Sequence, residues 1–296
     1  MLLLRSLPEL SAPESALSES FRERWSRESS IIWGRSRSAE FGPYPQLLSI
    51  RAVWGGAQFC HVDGRTLAVD DDNFLILNPG RNCATSIHAA DPVESLTICF
   101  APQPGGLATQ EPEFLENLQP HDSAVSPVLR FIRAHLARGF VEEDWYEEQL
   151  VFLLERMRTR QAKLHEQIDQ IDLIRPATRR EAFRRIAMAT DYLHANYAQD
   201  VDLGTLARMA YLSKYHFLRL FTLIHGITPR KFLQRKRVDV AVRLLESTRL
   251  PISEVTARVG FAFESTLLRH VRRRTKLSPS QLRIRMCDAA ASRTSA

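Results

Sequence analysis

The sequence has few cysteines, and they are widely separated. Its four cysteines are Cys60, Cys83, Cys99 and Cys287, and no two of them form a CxxC pair. This spacing argues against a zinc finger or a disulfide-stabilised scaffold and fits a reducing compartment. The apolar run in MLLLRSLPEL is too short for a signal peptide, and no other run approaches the length of a membrane span. We therefore expect a soluble, cytoplasmic protein that has no membrane partner.

Acidic residues are scarce in one half of the chain only. Residues 177–296 hold 9 Asp+Glu against 23 Lys+Arg, a net charge of +14, whereas residues 1–176 hold 25 against 17, a net charge of −8. A strongly basic half of this kind is typical of a protein that binds a polyanion. With 296 residues, of which 44% are hydrophobic and 25% charged, the chain is long enough for two packed domains.

The stretch from residue 46 to residue 100 predicts a small antiparallel β-structure. Runs such as LLSIRAVW, NFLIL and SLTICF are separated by turn residues, and Asp63-Gly64 supplies the positive φ angles of a two-residue hairpin turn. We expect a sandwich or a barrel. Its interior, whether a pocket or a filled core, would contain Trp54, Phe59, His61, Phe74 and Ile76. Residues 1–45 show little periodicity and are expected to form a loosely packed lead-in segment.

Two amphipathic helices are predicted after the strands, over 125–138 and 142–171. The longer one carries a seam of residues at heptad spacing, which consists of Leu150, Leu154, Met157, Gln161, Leu164 and Ile168. Two explanations stay open: the seam packs on the chain's own sheet, or it joins two copies of the chain, with Gln161 setting the register. Pro176 then interrupts the pattern where the charge changes sign, so we expect a linker over 172–183.

The basic half begins with two predicted helices joined by a tight turn. The first covers about 203–210, the turn lies at Tyr211–Leu212, and the second starts at Lys214, where Ser213 is placed to cap it. Residues at helical spacing give the second helix a buried stripe, formed by Phe217, Leu220, Phe221 and Ile224. The opposite face is polar and basic. This is helix-turn-helix geometry, in which the exposed face of the second helix enters the major groove of DNA.

The same plan recurs about fifty residues later. Ile252, Val255 and Val259 line one predicted helix, and a second starts near Glu264 with Leu267 and Val271 facing inward. Between the two units, PRKFLQRKRVDVAVRLLES predicts an uninterrupted helix of about 18 residues, or about 27 Å. A rod of that length can hold two recognition helices about one DNA turn apart.

Residues 184–285 resemble the DNA-binding domain of the AraC/XylS family of bacterial transcription regulators. The resemblance is carried by LSKYHFLRLF, GITP, Arg237, ISEV, VGF, Arg269 and LSP. It implies an α+β protein, with a cupin-like antiparallel β-barrel and helices over 46–171, an all-α DNA-binding domain of two helix-turn-helix units and a linker helix over 184–286, and a flexible tail over 287–296. Leu267, Val271 and Lys276 depart from the family's usual phenylalanines and glycine, which predicts a softer second unit.

The resemblance also implies which side chains contact DNA. The base-contacting set would be Tyr215, His216, Leu218 and Arg219 in the first unit and Glu264, Ser265, Leu268 and Arg269 in the second. The phosphate-contacting set would be Lys214, Arg235, Arg272, Arg273 and Arg274. The chemistry agrees, because an arginine fork matches guanine O6 and N7, a leucine can contact a thymine methyl group, and cations neutralise phosphates.

These observations predict a transcription regulator that is not an enzyme and has no cofactor. The expected partners are promoter DNA, a second copy of the chain, and RNA polymerase if the protein is an activator. Whether the first domain senses a small-molecule effector or only dimerises stays open. The alternative is a metal-binding cupin enzyme with a DNA-binding tail, whose ligands would be Cys60, His61, Cys83 and His88 if the fold brings them together. The paired histidines and glutamate typical of such sites are missing from the sequence.

Overall fold

One β-sheet organises the first half of the chain. The computed structural model describes residues 1–4, 24–45, 47–102, 114–139, 142–169 and 176–283. Eight strands within these ranges form the sheet: β1 (Leu2–Leu4), β2 (Ser30–Pro45), β3 (Leu48–Trp54), β4 (Ala57–Val62), β5 (Arg65–Asp70), β6 (Asn73–Leu77), β7 (Asn82–Phe100) and β8 (Leu118–Pro120). Their order is β1-β2-β7-β3-β6-β8, and β4 pairs with β5 and β7. The predicted cupin-like barrel is not confirmed, because this path across the sheet ends at β1 and β8 and the sheet is open.

The two longest strands, β2 and β7, pair with each other. Ser30 lies opposite Cys99 at one end and Pro45 opposite Asn82 at the other, with two register shifts between these pairs. Because β2 lies inside the predicted lead-in segment 1–45, that prediction is wrong for residues 30–45. The strand has no strict alternation of apolar and polar residues, and its partner is distant in sequence, so the local pattern did not reveal it.

The hairpin between β4 and β5 turns where it was predicted. Asp63 and Gly64 have φ angles of 50° and 74°, which is the conformation that a two-residue hairpin turn requires. The predicted interior of the sheet is only partly correct, because Phe74 and Ile76 are buried in a filled core whereas His61 is exposed. Trp54 and Phe59 are half-buried, and the inward-facing residues of β4 are Gln58, Cys60 and Val62.

Two helices, α1 (Ser126–Ala137) and α2 (Glu143–Asp169), pack on one face of this sheet. The predicted seam of α2 faces this core, since its first four residues are at most 7% exposed, namely Leu150, Leu154, Met157 and Gln161. These side chains are not available to a second copy, which corrects the predicted dimer seam in favour of packing on the chain's own sheet. Leu164 is half-buried, and the side chain of Ile168 lies outside the described residues.

A buried carboxylate fastens α1 to the sheet. Glu94 on β7 is 3% exposed and accepts hydrogen bonds from Trp33 Nε1 at 2.8 Å and from both Nε and Nη2 of Arg133 at 2.8 Å. Arg35 adds an ion pair at 3.0 Å. Burial alone would raise the pKa of Glu94, but these donors lower it to about 2. The carboxylate therefore stays ionised and ties helix and sheet together.

The second compact unit, Met188–Ala296, is helical through most of its described part. Its helices are the end of α3 (Pro176–Ala195), then α4 (Leu203–Met209), α5 (Lys214–His225), α6 (Pro229–Ser247), α7 (Ile252–Arg258) and α8 (Glu264–Thr275), and a further helix begins at Pro279. Since α3 begins at Pro176, the predicted linker 172–183 is helical from that residue onward. No helix in the described ranges is long and apolar enough to cross a membrane.

Candidate nucleic-acid interface

The first helix-turn-helix unit consists of α4, a short turn and α5, and each helix has a side-chain cap. Asp202 accepts hydrogen bonds from the backbone N–H groups of Gly204 at 2.7 Å and Thr205 at 3.1 Å. Between the helices, Tyr211 adopts a left-handed backbone with a φ of 52°. Ser213 Oγ accepts from the backbone N–H of His216 at 3.3 Å, which confirms the predicted cap.

The two helices of this unit cross through the predicted apolar stripe. Five side chains are 2% exposed or less: Leu206, Ala207, Phe217, Leu220 and Phe221. Ile224, at the end of the predicted stripe, is half-buried. The rings of Phe217 and Phe221 lie 5.6 Å apart, and Phe221 meets Phe232 of α6 edge-on at 5.6 Å. The outer face of α5 is thereby fixed in orientation by a full aromatic core.

That outer face carries the residues predicted to contact DNA in the first unit. Tyr215 is 79% exposed, Leu218 is 36% exposed, and Lys214, His216 and Arg219 are also exposed. Because they project from one helix and none is buried in the core, they form a single surface of polar, cationic and apolar groups. The structure thus brings all the predicted base contacts of α5 together.

The second helix-turn-helix unit, α7 and α8, repeats the plan but differs in its turn and at both ends of α8. Its core is formed by fully buried residues, Val255, Val259, Leu267 and Val271. The turn is one residue longer, because three residues separate the C-cap Val259 from the N-cap Phe263, whereas two separate Ala210 from Ser213. No side chain caps α8 at Phe263. At the other end of α8, Lys276 has a φ of 63°, a conformation that favours glycine.

The exposed face of α8 holds most of its predicted contacts. Glu264, Ser265, Arg269, Arg272 and Arg273 are exposed, and Leu268 is half-buried. Arg274 differs from its neighbours, since its Nε donates to Asp239 Oδ1 of α6 at 3.0 Å. A phosphate contact by Arg274 would have to replace this ion pair. Arg235, the predicted phosphate contact on α6, is exposed.

Arg237 on α6 connects the two helix-turn-helix units within the second compact unit. Its guanidinium donates to three backbone carbonyls, to Tyr197 at 2.6 Å, Gln199 at 2.7 Å and Gly260 at 2.6 Å. Burial lowers the pKa of this guanidinium. Gly260 itself has a φ of 75°, and a Cβ there would lie 2.2 Å from the carbonyl oxygen of Ala198. The sequence singled out Arg237, but nothing in its spacing indicated this role, because all three acceptors are distant in sequence.

The four candidate metal ligands, which lie in the N-terminal compact unit Met1–Ala187, do not converge. Cys60 and Cys83 are buried free thiols, whereas His61 projects from the opposite face of β4 and His88 is exposed beside Glu40. No group of three or more His, Cys, Asp or Glu side chains suited to a metal ion occurs among the residues that the structure describes. The alternative of a metal-dependent enzyme therefore has no assembled site in this part of the chain.

Comparison with known proteins agrees with the geometry of the second compact unit. Residues 206–285 match a family model described as a helix-turn-helix domain. This part of the second compact unit is an AraC-type helix-turn-helix domain. This AraC-type domain is 37% identical over 81 residues to the HTH-type transcriptional regulator Rv1931c of Mycobacterium tuberculosis, a match that covers 27% of this chain and 31% of that protein.

Two further similarities lie in the same AraC-type domain. It is 36% identical over 80 residues to the uncharacterized HTH-type transcriptional regulator YbfI of Bacillus subtilis, covering 27% of this chain and 29% of that protein. Among solved structures, the DNA-binding domain of AdpA in complex with a target DNA is 35% identical and covers 35% of this chain and 89% of that chain, with a TM-score of 0.30. The chain thus spans less than a third of the length of either regulator.

Proposed function

We propose that the protein is a sequence-specific DNA-binding transcription regulator, in which α5 and α8 enter successive major grooves of promoter DNA. The observation that carries this proposal is the pair of recognition helices, which expose polar and cationic faces from one compact unit. Residues 177–296, which include this unit, have a net charge of +14. A surface of this kind supplies both the phosphate contacts that give affinity and the base contacts that give specificity.

The helix between the two units supports the same function. α6 contains 19 residues, which corresponds to about 28 Å of helix. Successive major grooves on one side of B-DNA are separated by about 34 Å. With Arg237 fastening both units to this helix, α5 and α8 can contact DNA without a second copy of the chain.

The direct test is selection of binding sites from a random pool of duplex DNA with the full-length protein. We expect enrichment of a sequence with two conserved segments about one helical turn apart. The log of the binding constant should fall linearly with the log of salt concentration, by about 0.9 per phosphate neutralised. Enrichment of no sequence, or an affinity that does not change with salt, would refute the proposal.

We also propose that the N-terminal compact unit, Met1–Ala187, forms a homodimer through a different face from the predicted seam. Phe131 of α1 is 49% exposed and Phe152 of α2 is 41% exposed. Trp145 of α2 contacts α1, with its ring 5.4 Å from that of Phe131 and stacked on that of His135 at 4.1 Å. We call these four residues the aromatic face. Exposed aromatic clusters of this kind mark association surfaces, and a second copy would bury the rings.

A pair of matched variants tests this dimer. Phe152→Glu should convert the dimer to a monomer in light scattering, because it places a charge in the aromatic face. Val151→Glu is the control, since Val151 is 69% exposed and projects about 100° away around the same helix. If both variants keep the oligomeric state of the natural protein, the aromatic face is not the interface.

A further inference from the structure

Phe263 stands at the start of α8, where its side chain does not stabilise the helix. It is the N-cap of α8, with an extended backbone (φ −135°, ψ 134°) and a side chain that makes no capping hydrogen bond. The corresponding residue of α5 is Ser213, which does cap its helix. A phenylalanine at an N-cap forfeits the stabilisation that serine, threonine or aspartate would give. Since the ring is 70% exposed, packing in the core does not offset that loss.

The ring lies at the end of α8 that carries the predicted base contacts. Glu264 and Ser265 follow it directly and are exposed. In helix-turn-helix proteins the N-terminal residues of the recognition helix contact the base edges. A large side chain at the N-cap of α8 is therefore positioned to enter the groove together with these two residues.

Most of the exposed apolar groups of the second compact unit lie on the proposed DNA-binding surface, and Phe263 is the one at α8 among the residues that the structure describes. The large hydrophobic side chains exposed in its described part are Tyr211, Tyr215, Leu218, Leu223 and Phe263. All but Leu223 lie in the turn of the first unit or near the N-terminal end of a recognition helix. Apolar surface thus accumulates where DNA would cover it, although the rest of that surface is polar and cationic.

The apolar group that B-DNA presents in its major groove is the C5-methyl group of thymine. We propose that Phe263 contacts a thymine methyl group in the segment covered by α8 and so determines a base preference there. This inference rests on the proposed function, and it adds a specificity residue that the predicted contact sets did not contain. Glu264 and Ser265 would contact polar base edges beside it.

Removal of single thymine methyl groups from the DNA tests the contact. The probe is the duplex selected by the full-length protein, with each thymine replaced in turn by deoxyuridine, which lacks only the methyl group. We expect one or two replacements in the α8 segment to weaken binding about fourfold, which is the affinity equivalent of one buried methyl-sized group. Replacements outside the contacted segments should have no effect.

The variant Phe263→Ser supplies the second arm, because serine restores the cap found at Ser213 and should preserve the fold. We expect this variant to bind thymine and deoxyuridine duplexes equally well, with an unchanged or higher melting temperature. Leu223→Ser is the control, since it removes an exposed apolar side chain, 57% exposed, from the other recognition helix. It should leave the deoxyuridine response in the α8 segment intact.

Each remaining outcome contradicts the inference. If the natural protein binds its selected site but does not respond to deoxyuridine, Phe263 does not contact a methyl group. If Phe263→Ser keeps the response, another residue makes the contact. If Phe263→Ser weakens all sequences equally, the ring touches the sugar–phosphate backbone instead. If the natural protein selects no sequence at all, the proposed function fails and this inference fails with it.

Discussion

Arg237 and Gly260 connect the linker helix to the turn of the second helix-turn-helix unit. Nη1 of Arg237 donates to the carbonyl oxygen of Gly260 at 2.6 Å, while Nε and Nη2 reach back to Tyr197 and Gln199 ahead of α4. One side chain therefore binds both the segment that precedes α4 in the first helix-turn-helix unit and the turn between α7 and α8 in the second. The relative position of α5 and α8 depends on this guanidinium.

Replacing Arg237 should destabilise the second compact unit. Arg237→Leu removes three charge-assisted hydrogen bonds and leaves the carbonyls of partly buried turns without their donor, so we expect a loss of about 3 kcal/mol in the free energy of unfolding. Urea denaturation followed by circular dichroism measures this loss. Arg235→Leu, an exposed position on the same helix, is the control and should change stability by less than about 0.5 kcal/mol.

The two recognition arginines should contribute unequally to sequence preference. Arg219 lies on a capped helix above the aromatic core, whereas Arg269 lies on α8, which has no side-chain cap. We expect Arg219→Ala to cost about 1–3 kcal/mol of binding and to relax the preference in its half of the site. Arg269→Ala should cost less and change the preference less. Selection on randomised sites with each variant is the measurement, and a reversed ranking would contradict the argument.

Arg273 should act through phosphate alone. Its side chain is exposed near the end of α8, away from the N-terminal residues that meet base edges. We expect Arg273→Ala to weaken binding to all sequences alike and to reduce the salt slope by about one phosphate's worth, about 0.9. Titrations at several salt concentrations, with the selected site and with a scrambled site, separate this effect from a loss of specificity.

His225 should make the second compact unit less stable in mild acid. Its Nε2 shares a hydrogen bond of 2.9 Å with Thr190, and the rings of Phe221 and Phe232 surround it. Burial lowers its pKa from 6.5 to about 4. Because the folded pKa lies below the unfolded value, its contribution to stability is fully present above about pH 6.5 and is lost as pH falls toward 4.

The loss associated with His225 should reach about 3 kcal/mol at pH 4. Unfolding measured at pH 7 and pH 4.5 checks this, with His225→Gln as the comparison, because glutamine can keep the bond to Thr190 but does not titrate. The stabilising contribution of Glu94, whose pKa is lowered from 4.5 to about 2, is lost only as pH falls from about 4.5 toward 2, and it belongs to the N-terminal compact unit. An equal acid sensitivity in both proteins would exclude His225 as the cause.

Features that depend on neighbours in sequence were predictable. Three of them follow from residues that lie close together in the sequence: the cap at Ser213, the stripe of Phe217 and Phe221, and the hairpin at Asp63-Gly64. The plan of the second unit was predictable for the same reason, because its apolar spacing repeats that of the first.

Features that depend on distant partners were not predictable. β2 is a strand because it pairs with β7, and Arg237 and Arg274 take their roles from acceptors more than twenty residues away. The heptad seam of α2 showed that Met157 would be buried but not against which surface. Periodicity reports burial, whereas the identity of the covering surface is a property of the whole fold.

On the proposed function, the rigid connection made by α6 and Arg237 should make binding depend on the spacing of the two DNA segments. One added base pair between the two contacted segments of a promoter moves them about 3.4 Å apart and rotates one relative to the other by about 35°. A flexible tether would absorb that change, but a continuous helix clamped at three carbonyls would not. Promoter insertions between the segments should therefore be as damaging as base changes within them, and promoters with the same two segments at another spacing should not respond to this protein.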